Sequence, residues 1–457
     1  MKNFITFGFF FLLGFFLLGE VYFASAIGIT GYLVSRIIVE STRIFAFREW
    51  ALFLYALNYL FSPAITYQFD QTLLTYPMKI EAFDYFLIAI PGFLCFYAGM
   101  FAFKTRIFTP KMEKVKRDAK NNESLLINFV IIGLFLRLFG SVFPGELAFF
   151  VYLLSSIRFV GAFALIACDS RKYSKWVAAV LILELYFAFI GAMFHDAIMW
   201  ILFFALYSVY TFKPSKSIRL FGLIVFVVFV LFIQGLKGVY RDRIKETGTS
   251  DLGMVLESSS EVSDDIGSVD NLSGSLSRSN QAWIFASTKE RMDRIGDFQG
   301  LHILGIYAEA AFLPRIFAPD KIMSGDKKIF NSYSGHQINE NTSMGLGVFA
   351  DGYIAYGYWG VIFFTFGLGL LINFTFRIVE SWAKLSEFYV LMVLPLLNYA
   401  IRPDCELQTT INHLVKGLLV FGILVTLTKY NFVINAGTSK SSQLKRAALP
   451  DLNRVKN

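Results

Sequence analysis

The chain has 457 residues, of which 56% are hydrophobic, only 17% are charged and 52 are phenylalanine. Soluble domains carry about 25% charged residues, so this composition excludes an ordinary soluble protein. The formal net charge of +8 comes from short basic loops between apolar runs, so we predict no nucleic-acid partner.

Long apolar runs recur through the chain, and a helix needs about 20 apolar residues to cross a bilayer. The runs are continuous rather than alternating, so they predict helices and not barrel strands. The predicted spans are 4–19, 21–40, 50–66, 85–103, 124–142, 147–168, 176–194, 197–212, 218–236, 353–376, 387–401 and 409–428. The sequence thus predicts an all-α polytopic membrane protein with about 11–12 transmembrane helices. Residues 1–40 form either two spans or one span with an interfacial piece.

Lysine and arginine are concentrated in alternate loops. The loops at 104–120, 171–175 and 213–219 are basic, as is the tail from Lys440. The loops at 63–82, 143–146 and 402–408 and the turn around His195 contain few Lys or Arg. The positive-inside rule makes the basic set cytoplasmic, so we predict that residues 237–352 lie on the outer side of the membrane.

This topology divides the chain into four parts. They are an N-terminal transmembrane bundle at 1–236, a large extracytoplasmic loop at 237–352, C-terminal transmembrane helices at 353–430 and a basic cytoplasmic tail at 431–457. Within the loop, residues 246–277 are rich in Ser and acids, and we expect them to be mobile or only partly helical. Helical spacing of apolar residues returns after Ser277 and predicts two or three helices lying across the outer membrane face.

The first residues resemble a signal peptide, with Lys2, an apolar core and Ala24-Ser25-Ala26. The apolar run continues beyond Ala26, so we expect a retained helix. The three cysteines, at 95, 168 and 405, lack metal-site spacing. We therefore predict neither a metal site nor a disulfide framework, and nucleotide-binding fingerprints are absent as well, so no cofactor is expected.

Cationic side chains in and near the large loop are candidates for holding an anionic ligand, because guanidinium groups grip phosphate through a planar fork of donors. These candidates are Arg241, Arg278, Arg291, Arg294, Arg315, Lys321 and Arg402. The alternative is that they pair with nearby acids such as Glu290 and Asp293, or snorkel to lipid headgroups.

Three charged residues lie inside predicted spans, where charge is costly. Arg158 and Glu184 lie near the middle of neighbouring spans, and we expect them to pair. Arg137 lies near the outer end of its span, within reach of a lipid phosphate. Among the histidines, His336 is a candidate general base because imidazole titrates near neutral pH, whereas His302 and His413 are expected to be structural.

Several short elements follow one another in the C-terminal half. They are Arg278-Ser279-Asn280-Gln281-Ala282-Trp283, Leu313-Pro314-Arg315, Pro319-Asp320-Lys321, Thr342-Ser343-Met344, Asp351-Gly352-Tyr353 with Gly357 and Gly360, and Arg402-Pro403-Asp404. In this order, and together with the hydropathy plan, they resemble the O-antigen polymerase family of membrane oligosaccharide repeat-unit polymerases. One element departs from the family pattern, because His195 stands where an arginine is expected.

The resemblance implies a GT-C-like, metal-independent, inverting glycosyltransferase. Its donor would be a glycan on undecaprenyl pyrophosphate, and its acceptor another lipid-linked repeat unit. Arg315 and Arg402 would hold the leaving pyrophosphate, with His195 near that contact, and Asp351 or His336 would accept the proton of the attacking hydroxyl. The implied partners are membrane lipids and a chain-length regulator and flippase of the same pathway.

Three other functions remain open, and one of them is a non-catalytic subunit of a surface-polysaccharide assembly. An O-antigen ligase, which transfers the glycan to a lipid A core, would share the chemistry and the plan. A transporter or flippase for an anionic lipid or glycan would instead have paired charges along a path through the bilayer. We expect Arg315, Arg402 and Asp351 to line one outward cleft if the chain is a glycosyltransferase.

Overall fold

The protein is all helical throughout the residues that the computed structural model describes, which are 2–74, 76–191, 194–247, 253, 280–313, 322, 327–338 and 344–447. The α-helices are α1 Lys2–Leu18, α2 Val21–Glu40, α3 Phe47–Ala56, α4 Ser62–Thr66, α5 Ala82–Met100, α6 Met112–Asn121, α7 Glu123–Leu138, α8 Gly145–Ser155, α9 Ile157–Cys168, α10 Ser170–Ile190, α11 Phe194–Phe212, α12 Lys216–Thr247, α13 Ala282–Ile295, α14 His302–Phe312, α15 Lys327–Ser334, α16 Val348–Ala383, α17 Val393–Leu397 and α18 Leu407–Ala447. This confirms the predicted helical class. The segment 246–277 lies almost entirely outside the described residues.

Seven helices of the described residues are long and apolar enough to cross a membrane, and α6 with α7 would add an eighth if this pair, bent by 82°, forms one span. They make the protein a multi-pass membrane protein. The seven are Val21–Glu40, Ala82–Met100, Leu147–Cys168, Ser170–Ile190, Phe194–Phe212, Val348–Ala383 and Leu407–Lys429. The predicted 11–12 full-length spans exceed this number.

Broken and shortened helices account for part of that difference. The predicted span at 50–66 consists of α3, a π-helical turn at Leu57–Phe61 and α4, with Pro63 near the start of α4. The first run forms a helix of only 17 residues. Some predicted boundaries also move, because α12 continues past residue 236 to Thr247 and α16 begins at Val348 rather than at 353.

The predicted span at 387–401 is a short and deeply buried segment. It starts as a 3₁₀-helix at Glu387–Met392, continues as α17, and has every side chain from Phe388 to Leu397 buried. A 3₁₀-helix rises about 2.0 Å per residue instead of the 1.5 Å of an α-helix, which lengthens the segment. Protein rather than lipid surrounds it, so its apolar composition reflects a core position.

The basic loops meet at one end of the bundle. Lys114 Nζ lies 3.0 Å from Glu387 Oε2, Phe45 N donates to Phe108 O over 2.7 Å, and Tyr210 donates to Pro110 O over 2.8 Å. We call this the basic end. From Glu387 at the basic end, the chain runs through α17 to the opposite end, which we call the site end. There Arg402 contacts Asp196 at the start of α11.

Helix α16 is sharply bent at Tyr356 and Gly357, where Gly357 has φ +59° and ψ −137°. The bend brings Gly352 against Gly360, and a Cβ atom on Gly360 would lie 1.9 Å from the Gly352 carbonyl oxygen. The N–H groups of Gln299 and Gly300 donate to the carbonyls of Ile354 and Ala355, which the bend leaves without helical partners. The bend therefore places Val348–Ala355 at the site end, under the loop between α13 and α14.

The glycine contact predicts a large effect from a single methyl group. A Cβ on Gly352 would lie 2.6 Å from the Gly360 carbonyl oxygen, and such overpacking costs about 1–3 kcal/mol. Gly352→Ala should lower the thermal midpoint of the purified protein and reduce its monodisperse fraction in size-exclusion chromatography. Gly367→Ala in the same helix is the matched control, because nothing lies within 4 Å of its Cβ position. Equal midpoints for the two variants would contradict this packing.

Candidate functional site

The chain between α17 and α18 is a buried loop that tyrosines of other helices hold in place. Tyr55 donates to Ala400 O over 3.2 Å and Tyr59 donates to Pro403 O over 3.1 Å. Gly347, with φ +80°, allows the segment before α16 to approach this loop, since a Cβ there would lie 2.3 Å from the Tyr59 hydroxyl. The loop from 398 to 406 therefore has a fixed position at the site end.

Asp351 connects this loop to two other parts of the chain. Its Oδ1 accepts a hydrogen bond of 2.7 Å from the Tyr307 hydroxyl of α14, and its Oδ2 accepts one of 2.7 Å from the backbone N–H of Leu407. Leu407 is the first residue of α18, so the carboxylate satisfies one of the N–H groups that a helix start leaves without a partner. Burial, with the charge of Asp351 beside it, raises the pKa of Tyr307 well above its usual value, so its hydroxyl stays protonated and donates.

Asp351 is fully enclosed, with 0% of its surface exposed. The expectation that Asp351 and Arg402 would line one open cleft is therefore wrong for this state of the protein. The physical reason is that Tyr307 and the start of α18 close over both carboxylate oxygens.

Arg402 lies between two carboxylates in what we call the Arg402 cluster, formed by Arg402, Asp196, Asp404 and His195. Its Nη1 lies 3.3 Å from Asp196 Oδ1 and its Nη2 lies 3.2 Å from Asp404 Oδ2. Burial alone would raise the pKa of Asp404, but Arg402, with help from His195, outweighs it and holds that pKa well below its usual range. Asp404 therefore remains ionised at neutral pH beside the Arg402 guanidinium.

Aromatic side chains extend this cluster toward the bundle interior. Tyr152 donates to Asp196 Oδ2 over 3.2 Å, and the guanidinium of Arg402 lies 5.0 Å from the centre of the Tyr399 ring. The Tyr399 ring in turn lies 4.6 Å from that of His413. His413 Nε2 is 2.7 Å from Pro395 O, which fits the structural role expected for this histidine.

His336 follows α15 and packs against α13. Its Nε2 is 2.9 Å from the Ser287 hydroxyl of α13, and its ring meets Trp283 edge to face at 5.2 Å. Burial, and then the charge of Lys79, lower the pKa of His336 below its usual value, so the imidazole is neutral at pH 7. His336 and Asp351 contact different residues, and the structure does not bring them together in one hydrogen-bonded pair.

The predicted cations of the loop fall into three groups. Arg291 donates from Nε to Ser332 O over 2.5 Å, so it connects α13 to α15, whereas Arg294 is exposed. The side chain of Arg241 on α12, together with Arg278, Arg315 and Lys321, lies outside the described part of the chain.

The charges inside the spans form a second cluster, which we call the Arg137 cluster, composed of Arg137, Arg158 and Glu184. Arg158 Nη2 lies 2.5 Å from Glu184 Oε2, which confirms the predicted pair. Arg137 Nε also approaches Glu184 Oε2, at 3.6 Å, and its guanidinium covers the Phe187 ring. Arg137 thus contacts an acid that the sequence had assigned to Arg158 alone.

Sequence reasoning missed three side chains at the site end. Asp196 follows the predicted residue His195, and Asp404 lies two residues after the predicted residue Arg402. Nothing in the sequence indicated that both carboxylates contact one guanidinium. Tyr307 is an ordinary aromatic residue in an apolar helix, and only the fold brings it to Asp351. No group of three His, Cys, Asp or Glu side chains in the described part of the chain is arranged to hold a metal ion.

The fold and the site define a multi-pass helical membrane protein with buried ionic clusters. Residues 51–391 match the family described as a domain of unknown function (DUF8712). Since this range covers most of the chain, the protein belongs to that family. No curated protein and no solved structure matches the chain.

The Arg402 cluster predicts a specific stability effect. In Arg402→Ala, both Asp196 and Asp404 lose their cation, and the partial exposure of all three side chains limits the cost to about 1–2 kcal/mol. Thermal unfolding at neutral pH should show this loss, and the double variant Arg402→Ala/Asp404→Asn should recover part of it. If the double variant loses the full sum of the two single losses, the ion pair contributes nothing.

Proposed function

We propose that the protein is a membrane glycosyltransferase that polymerises undecaprenyl-pyrophosphate-linked oligosaccharide repeat units at the outer face of a bacterial inner membrane. The observation that carries the proposal is the gathering of Arg402, His195, Asp196 and Asp404, next to the loop held by Asp351, at the end of the bundle opposite the basic loops. Arg402, Asp404 and Asp351 belong to the segments on which the resemblance to O-antigen polymerases depends, whereas His195 is the position at which the chain departs from the family pattern.

The proposed reaction is a single displacement at the anomeric carbon of the donor glycan. A hydroxyl of the acceptor sugar attacks this carbon, the bond from the carbon to the pyrophosphate oxygen breaks, and undecaprenyl pyrophosphate leaves. The hydroxyl proton passes to a side chain of the protein. Cationic side chains stabilise the charge that develops on the leaving group, and the configuration at the anomeric carbon inverts.

The two candidate proton acceptors, His336 and Asp351, have different surroundings in the structure. His336 is partly buried, neutral at pH 7 and hydrogen-bonded to a hydroxyl, all of which suit a base. Asp351 has the stronger resemblance to the family element, but it would need Tyr307 or the start of α18 to move before it could reach a sugar. We therefore propose that Asp351 acts only in a state in which this contact opens.

The cellular test is the surface glycan of a deletion strain. Loss of the polymer ladder with a single repeat unit retained would support the polymerase. Loss of all capped lipid would instead identify the sister reaction of a ligase, and an unchanged glycan would remove both.

Conservative variants separate chemistry from folding at Asp351. An asparagine can accept from Leu407 N–H through Oδ1 and donate to the Tyr307 oxygen through Nδ2, so Asp351→Asn keeps the contacts but removes the base. We expect Asp351→Asn to be folded and to give no polymer, and Asp351→Ala to lose stability as well, by about 1–3 kcal/mol.

The readouts are polymer length in cells and thermal unfolding of the purified variants, with His336→Gln measured in parallel. If Asp351→Asn makes normal polymer while His336→Gln makes none, the base is His336. Normal polymer from both variants would remove both residues from proton transfer.

A further inference from the structure

The two ionic clusters differ in how their guanidinium groups are neutralised. In the Arg402 cluster one guanidinium faces two carboxylates, so Arg402 keeps no surplus positive charge. In the Arg137 cluster two guanidinium groups share the single carboxylate of Glu184, which leaves a formal charge of +1. An anion is therefore attracted more strongly by the Arg137 cluster than by Arg402.

The Arg137 cluster also has unused hydrogen-bond donors. The Nε atoms of Arg137 and Arg158 are both buried without a hydrogen-bond partner. Within the described part of the chain, no hydrogen bond engages the two Nη atoms of Arg137, whereas Arg158 donates to Ser155 O over 2.6 Å. Since a guanidinium has five N–H donors, Arg137 retains donors for a further acceptor.

The position of Arg137 indicates where that acceptor comes from. The Arg137 side chain is 25% exposed, against 2% for Arg158 and 4% for Glu184. The apolar side chains around it on α7, Phe135, Leu138 and Phe139, are each about half exposed. An exposed apolar surface of a membrane protein faces lipid, so the open side of Arg137 faces the headgroup region next to acyl chains.

The two clusters are neighbours in the fold. Tyr152 donates to Asp196 of the Arg402 cluster, and it lies on α8 one turn before Ser155, which accepts from Arg158. A phosphate group at Arg137 would therefore lie beside the Arg402 cluster rather than across the protein from it.

A second pair of arginines sharing one acid lies at the basic end and differs in its contacts. Arg36 uses Nη2 on Glu49 and Nη1 on the Tyr32 hydroxyl, and Arg48 covers the Phe101 ring at 3.6 Å. Both Nη groups of Arg36 are thus engaged within the protein, unlike those of Arg137. This cluster, composed of Arg36, Glu49 and Arg48, has the same formal charge and so provides a matched control.

We propose that the Arg137 cluster binds the pyrophosphate of a membrane-anchored prenyl carrier, with Arg137 as the first contact. The identity of the ligand rests on the proposed function, whereas the anion site rests on the charges and donors described above. Arg402 then orients Asp196 and Asp404 instead of contacting the pyrophosphate.

The test is a titration of the purified full-length protein in detergent with farnesyl pyrophosphate, with inorganic pyrophosphate as the soluble alternative. Losing a hydrogen bond to a charged group weakens binding by about ten-fold or more. We expect Arg137→Gln to weaken farnesyl pyrophosphate binding by about that factor and Arg137→Lys to weaken it less. Arg36→Gln and the exposed Arg43→Gln should bind as the wild type does.

Two results would overturn the site, namely unchanged binding in Arg137→Gln and an equal loss in Arg36→Gln. Binding of inorganic pyrophosphate as tight as that of farnesyl pyrophosphate would overturn the assignment of the ligand to a prenyl carrier. Failure of the proposed function has a different signature, because an unchanged surface glycan in the deletion strain together with Arg137-dependent binding would keep the site and remove the polymerase.

Discussion

The carboxylate of Asp351 is the contact on which the site end depends. It accepts hydrogen bonds from the Tyr307 hydroxyl and from the Leu407 N–H. One side chain therefore joins α14, the bent helix α16 and the start of α18. A buried carboxylate with both oxygens accepting hydrogen bonds is stable, whereas the same group without its donors would be costly. Because the start of α18 is fixed in this way, the loop that carries Arg402 is fixed as well.

The electrostatics of the site end follow from that placement. Arg402 enters a pair of carboxylates and is neutralised, while Arg137 and Arg158 compete for Glu184 and keep a surplus of positive charge. Formal charge, and not the number of arginines, then decides where an anion binds. Under the proposed function, this difference assigns leaving-group binding to the Arg137 cluster.

The helical class, the multi-pass plan and the Arg158–Glu184 pair could be predicted from the sequence, because apolar runs and isolated charges within them are local signals. The bend at Tyr356–Gly357 and the short buried segment after Ser386 could not, since both depend on close contacts with distant residues, such as Gly352 with Gly360. The sequence offered Asp351 and His336 as alternative proton acceptors, but it could not show that Asp351 contacts Tyr307 and Leu407 whereas His336 contacts Ser287. The partners of Arg402, Asp196 and Asp404, lie close in the sequence to predicted residues. The sequence did not indicate that both carboxylates would neutralise the Arg402 guanidinium.

The most direct test of the account is reconstitution of the purified protein in liposomes with an undecaprenyl-pyrophosphate-linked repeat unit as the only substrate. Mass spectrometry would follow the glycan length and the release of undecaprenyl pyrophosphate. The account predicts lengthened lipid-linked glycan and one molecule of released carrier for each new glycosidic bond, without a nucleotide sugar. Movement of the intact lipid-linked unit between leaflets with no new glycosidic bond would contradict it and identify a transporter.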